Sequence, residues 1–163
     1  LVAGARRARP RFAFSTTKEE HMIDSKGAPY AALLLRVSMG VLFILHGIYL
    51  KVFMFTMAGT GKYFASLGLP DWFAWVVMLY ETLGGLALIL GIQVRWVALL
   101  LGVHLLFAAY VGHGANGFWF TAKGGGWEYP LFWALACFAL ALLGDGAHAL
   151  KPGRPWGAVS PAR

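Results

Sequence analysis

Four apolar stretches divide this chain, and they limit what it can fold into more than any other feature. They cover residues 30–50, 72–92, 96–111 and 127–144, and the first runs on into a semi-apolar tail at 51–57. A helix that crosses a hydrocarbon core ~30 Å thick needs about 20 residues, with a range of roughly 17–25. The first two stretches reach that length unaided; the third and fourth reach it with their flanking residues. Over all 163 residues the chain is 59% hydrophobic and only 13% charged, with a mean hydropathy of +0.64. A soluble domain is nearer about half apolar and about a quarter charged. One this small leaves too much surface exposed to hide the excess. Lipid is therefore the solvent for most of this surface.

The expected fold class is all-α, a four-helix transmembrane bundle with both termini cytoplasmic. Aromatic residues gather at the ends of the stretches: Tyr30, Trp72, Trp75, Trp96, Tyr110, Trp119, Trp127, Tyr129 and Trp133. Their rings favour the headgroup level. Small residues punctuate the spans, as in Gly84-Gly85-Leu86-Ala87 with Gly91, and at Ala134, Ala136, Ala139 and Ala141. In lipid, where packing rather than hydrophobicity joins helices, such residues allow close approach. With Arg36 set aside, ten Lys/Arg fall on the side of the termini and three (Lys51, Lys62, Lys123) on the other. That bias places the termini inside. Without residues 1–21 the ratio falls to five against three, in the same direction.

Residues 1–21 form a basic N-terminal extension with no acid before Glu19. A secretory signal is excluded, because no apolar segment follows the arginines. A mitochondrial transit peptide fits the Arg-rich, acid-poor composition. The third reading is an untranslated leader. Lys18-Glu19-Glu20-His21-Met22 can be encoded as AAG GAG GAG CAC ATG, which places a purine-rich ribosome-binding sequence just upstream of a start codon. The chain also opens on Leu rather than Met. The leader reading is preferred, which sets the expected start at Met22 and the membrane domain at 22–150. Residues 151–163, rich in Pro and Gly, are expected to be a disordered tail.

The net charge of +7 does not argue for nucleic acid. Four of the fourteen Lys/Arg sit in the run Arg6–Arg11, and the others mark loops and helix ends. Cys137 is the only cysteine, so the chain by itself forms neither an internal disulfide nor a CxxC pair. It reads as a small apolar residue of the core.

Two connections are long for a bundle. Residues 56–71 contain Tyr63-Phe64-Ala65-Ser66-Leu67, a short helix suited to the interface, and residues 113–126 mix aromatics with glycines in a segment able to fold over the bundle as a lid. Ionisable groups inside a bilayer are costly and mark functional sites. Glu81 and His104 fall near the midplane, at ~1.5 Å rise per residue. His46 lies in the outer part of the first span, with Lys51 about one turn beyond. His113, Asn116 and Glu128 stand at the outer mouth. Together these residues describe a polar track from the outer surface to mid-membrane. The plainer reading keeps Glu81 as a structural partner of Lys51 or His46, keeps His46 and His104 as satisfied core histidines, and gives His113 and Glu128 the task of tethering the loop. Arg36 is near enough to the inner end to snorkel its head to the interface. A haem between His46 and His104 is disfavoured, because their levels differ by ~12 Å. No i, i+4 histidine pair marks a zinc site, and Gly61-Lys62 lacks the rest of a phosphate loop. No catalytic residue and no metal ligand is assigned.

The motifs resemble those of the DoxX family. His46-Gly47 with Lys51 is similar to its HGxxxK element, and Phe64-Ala65-Ser66-Leu67-Gly68-Leu69-Pro70 to its first outer loop. Glu81-Thr82-Leu83-Gly84-Gly85, Leu88-Ile89-Leu90-Gly91 and Arg95 resemble its E-x-x-G-G…L-x-L-G…R run. His113-Gly114-Ala115-Asn116-Gly117-Phe118 and Gly124-Gly125-Gly126-Trp127-Glu128-Tyr129-Pro130 complete the series. The resemblance spans residues 22–150 and implies a multi-pass protein of a bacterial cytoplasmic membrane; the transit-peptide reading would instead imply the mitochondrial inner membrane. Members are tied to quinol oxidase and thiosulfate:quinone systems and to redox homeostasis. Three functions follow as expectations: an accessory subunit of a membrane redox complex; a quinone-interacting redox protein using Glu81 with His46 or His104; and a small permease or lipid-binding protein that would act as a homo-oligomer. The expected partners are the lipid bilayer and membrane oxidoreductase subunits, and quinone is the candidate cofactor.

Overall fold

The computed structural model describes residues 24–154. The leader or transit-peptide question at 1–21 lies outside them. Every regular element is helical, and no strand occurs among the described residues. The first span comprises α1, Ala28–Ile44, continued without a break by a π-wound segment, Leu45–Met54. Then come α2, Met57–Ser66; α3, Phe73–Leu90; α4, Val94–Val111; a 3₁₀ turn, Gly114–Asn116; and α5, Glu128–Leu143. The helical spans Ala28–Met54, Phe73–Leu90 and Val94–Val111 are long and apolar enough to cross a membrane. The fourth apolar helix, α5, has 16 residues. Large apolar side chains point away from the protein on every span, among them Leu34, Leu83, Leu100 and Phe132. A water-soluble monomer rarely exposes so much contiguous apolar surface. This is a multi-pass membrane protein.

Two helix pairs carry the packing, α1 with α3 and α4 with α5. Glycine sets the first. A Cβ on Gly40 would come within 2.6 Å of the Gly85 carbonyl oxygen, and one on Gly85 within 2.7 Å of the Gly40 oxygen. The two backbones therefore touch, as small residues permit in lipid. The second pair buries Ala98, Leu101, Ala134, Cys137, Leu140 and Ala141. Phe43 of α1 stacks on Trp133 of α5 at 4.6 Å and joins the pairs.

One end of the bundle, here called basal, carries residues 24–29, the α3–α4 turn and residues 144–154. Gly91 ends α3 at φ +70°, a conformation glycine adopts without steric cost. The chain near the C-terminus then clamps this turn. Leu150 and Lys151 donate backbone N–H groups to Leu90 and Gly91, and Gln93 donates to Lys151. Asp145 accepts from the N–H groups of Val94 and Gly153. The expected tail thus begins with residues that are held in place, and 155–163 fall outside the described residues. Arg36 does not snorkel. Its side chain is buried, donating to the carbonyls of Leu88 and Ile89 at the end of α3 and of Ala147. Carbonyls at a helix C-terminus lack intrahelical donors, so a guanidinium gains more there than at the headgroups. Arg95 likewise donates to the last carbonyls of α5, at Ala141 and Leu142.

The opposite, distal end carries α2 and residues 112–127. Thr56 stands between the π segment and α2 with φ 59°, rare for a β-branched residue. Its hydroxyl accepts from Gly59 N–H and caps α2. Tyr63 of α2 donates to the Gly112 carbonyl at the end of α4, 3.1 Å away.

Candidate functional site

The π segment shapes the distal half. π-wound stretches are rare and occur mostly as single turns, frequently at functional sites; this one runs for ten residues and carries both His46 and Lys51. Where the sequence suggested a fading tail after residue 50, the helix continues, and its wider turn brings Lys51 Nζ back to the His46 carbonyl at 3.2 Å. Gly47 sits on the same segment against Thr82 and the Met78 carbonyl of α3. Close approach there sets Lys51 beside Glu81.

Glu81 joins three elements. One carboxylate oxygen, Oε2, is in ionic contact with Lys51 Nζ. The other, Oε1, accepts from His104 Nε2 of α4 at 3.0 Å. The three side chains are largely buried. A lone buried carboxylate would be strongly destabilising, and these two donors compensate it. The reading that paired Glu81 with Lys51 is met. The alternative bond to His46 is not made: His46 Nδ1 instead lies 2.9 Å from the Leu42 carbonyl. His104, which nothing on its own helix linked to a partner, is the second ligand of the carboxylate, and its ring lies edge-on to Tyr80 at 5.3 Å.

His46, Lys51, Glu81 and His104 share the wall of one cavity of about 740 Å³. It lies between the π segment, α2, α3, α4 and α5, and its lining is mostly apolar. Residues 113 to 126 partly cover it, as the lid reading expected: His113, Phe120 and Gly124–Gly126 line it. The other two mouth residues do not. Asn116 donates to the carbonyls of Gly124 and Gly125, and Glu128 accepts from the Phe120 N–H. Asn116 ties the loop to itself, and Glu128, the first residue of α5, ties it to that helix. His113 does both, lining the cavity while its Nδ1 meets the Gly125 carbonyl at 2.9 Å.

Trp133 corrects one part of the sequence reading. Grouped there with the interfacial aromatics, it is only 5% exposed and lines the cavity floor beside His46, ring centroids 4.8 Å apart. Its indole N–H is buried with no partner among the described residues. The available signal was the row Ala134, Cys137 and Ala141, small residues one and two turns apart that mark the packed face of α5. Tyr63 and Tyr129 also line the cavity and went unremarked as site residues. Among the described residues no group of three or more His, Cys, Asp or Glu is arranged to hold a metal ion.

Chemically, the cluster offers a carboxylate with both oxygens occupied, an ammonium and an imidazole already hydrogen-bonded to it, all facing an apolar chamber. Protons can exchange along those bonds, and a small amphiphile fits the space. These features define a class, a helical multi-pass membrane protein with one polar cluster set in a distal cavity. Comparison with known proteins gives the family. The DoxX family model matches residues 31–114, a stretch that carries His46, Lys51, Glu81, His104 and His113. A Bacillus subtilis (strain 168) protein named "Putative oxidoreductase CatD" is 33% identical over 128 residues, which is 78% of this chain and 90% of the relative. The chain belongs to the DoxX family. No solved structure matches it.

Proposed function

We propose that this protein works in a quinone-linked redox system of a bacterial cytoplasmic membrane and that its distal cavity, opening to the outer side, holds a quinone-class ligand. The observation that carries this reading is the Lys51–Glu81–His104 cluster in the wall of a mostly apolar cavity of about 740 Å³. Ligand sites are typically apolar chambers of roughly 300–1,000 Å³ with a few convergent polar groups. The ring of a quinone-class ligand suits the aromatic floor at Trp133, its carbonyl oxygen can accept from Lys51, and the hydroxyl of its reduced form can donate to His46. When bound, such a group supplies two-electron chemistry coupled to protons. The oxidoreductase name of the Bacillus relative is consistent with that class.

A second reading, an accessory subunit of a membrane oxidoreductase complex, is favoured by the exposed run Phe118, Trp119 and Phe120 in the distal loop. Large aromatics in a row are the kind of surface a partner covers. Both readings are tested by native purification in mild detergent, with mass spectrometry of co-purifying proteins and of extracted lipids and quinones. The ligand-site reading expects a bound quinone that is lost in Glu81→Gln, while that variant still folds. A stoichiometric oxidoreductase partner with no quinone would favour the accessory role. Recovery of neither would sink both.

A further inference from the structure

Three histidines from three elements line the distal cavity: His46 from the π segment, His104 from α4 and His113 from the distal loop. Two of them are fixed in the same way. His46 Nδ1 faces the Leu42 carbonyl and His113 Nδ1 the Gly125 carbonyl, each at 2.9 Å. A carbonyl oxygen only accepts, so each Nδ1 carries the proton, and in the neutral imidazole Nε2 is left with a bare lone pair. Neither Nε2 has a hydrogen-bond partner among the described residues, and neither is sealed inside the protein. His104 is fixed the other way: its Nε2–H donates to Glu81, so in the neutral ring Nδ1 is left as the acceptor.

Donors are scarcer. Lys51 spends two of its three N–H groups on Glu81 and the His46 carbonyl. The Trp133 N–H is closed off from the cavity space. The Tyr129 hydroxyl on the same wall adds one donor to the third Lys51 N–H, so three acceptor nitrogens face two free side-chain donors among the described residues.

Resting on the reading of this cavity as a quinone-class site, we infer that His46 and His113 are specificity-determining residues. They make the wall a hydrogen-bond acceptor, so that it selects the hydroxyl-bearing, reduced member of a quinone pair over the carbonyl-bearing one. A phenolic hydroxyl donates to Nε2 and can still accept from the remaining Lys51 N–H. A quinone oxygen can accept from the ammonium or the Tyr129 hydroxyl, but it meets the imidazole lone pairs with its own. A site built to accept from a hydroxyl discriminates against the analogue lacking it, because its polar groups are left unpaired.

The test uses the full chain in detergent micelles and needs no turnover. Equilibrium dialysis compares a short-chain dimethoxybenzoquinone with the matching hydroquinone, kept reduced under argon. The hydroquinone is expected to bind at least about tenfold more tightly. His46→Phe keeps a ring against Trp133 and removes the acceptor, so it should cost about tenfold in hydroquinone affinity while quinone affinity stays within about twofold. His113→Phe, in the loop and outside the packed spans, should move affinity in the same direction and keeps the test open if His46→Phe does not fold. Equal or tighter binding of the quinone overturns the inference and leaves the quinone-class reading standing. So does a hydroquinone preference that survives both substitutions. Failure to bind either form overturns both.

Discussion

The basal and distal ends of this bundle both bury charge, and they stabilise it by opposite means. At the basal end the Arg36 guanidinium donates to three backbone carbonyls, with its Nε buried and unpartnered among the described residues, and Asp145 accepts from backbone N–H groups. These partners cannot titrate or leave. At the distal end Lys51, Glu81 and His104 satisfy one another, and each can gain or lose a proton. The basal charges are packed into chain; the distal ones face a cavity. Buried charge held by backbone is architecture, while buried charge held by ionisable side chains next to open space is equipped for chemistry.

The largest expected effect comes from breaking the basal arrangement. Arg36→Leu leaves the carbonyls of Leu88, Ile89 and Ala147 without their donor, and should cost several kcal/mol, since each buried acceptor left unpaired costs ~1–3 kcal/mol. Thermal unfolding in detergent should fall sharply, while any folded fraction keeps its ligand per molecule. A variant of wild-type stability would falsify the architectural role.

Between the two ends, Gly85→Ala places a methyl 2.7 Å from the Gly40 carbonyl oxygen and 3.0 Å from Ile44 Cγ1. Forcing α1 and α3 apart should cost ~1–3 kcal/mol, as overpacking does. Because Gly47 and Lys51 follow on the same span, ligand affinity should weaken too. Unchanged affinity in a destabilised variant would show that the distal site is insulated from this contact.

The distal cluster can be sharpened by a double-mutant cycle. Lys51→Met and Glu81→Gln should each be destabilising, and the pair together less so than their sum, with a coupling of ~0.5–3 kcal/mol. Additivity would mean that the ion pair is not a functional unit of the fold. The smallest effect is expected from Tyr63→Phe, which deletes the single hydroxyl bond from α2 to the end of α4. It should cost ~0.5–1.5 kcal/mol at most. Hydrogen exchange should quicken in α2 and leave the basal turn untouched.

Much of this was readable along the chain. Apolar runs located the three spans long enough to cross a membrane and the shorter α5. The five residues from Tyr63 to Leu67 announced α2, although the helix starts earlier, at Met57. Every residue of the distal cluster was visible as an ionisable group at apolar positions. What misled was polarity judged one residue at a time. Arg36 looked close enough to water to reach it, and Trp133 looked interfacial because tryptophans commonly are. Both belong to the interior because of what other segments bring to them: carbonyls from α3 and residue 147 in one case, Phe43 and His46 in the other.

The sequence by itself determined that the chain is helical and lipid-solvated, because apolar length is a local property that no fold can undo. It also determined which ionisable groups must find partners, since an unpaired charge in hydrocarbon is too costly to persist. Which partner each one found was decided only in three dimensions. Helices in lipid are apolar on every face, so hydrophobic periodicity carries no record of which neighbour each side meets. The register of α1 against α3 came from two backbones meeting at Gly40 and Gly85, and the wider winding of residues 45–54 then turned Lys51 toward Glu81. The cavity, the choice of His104 over His46, and the inward turn of Trp133 all follow from that packing.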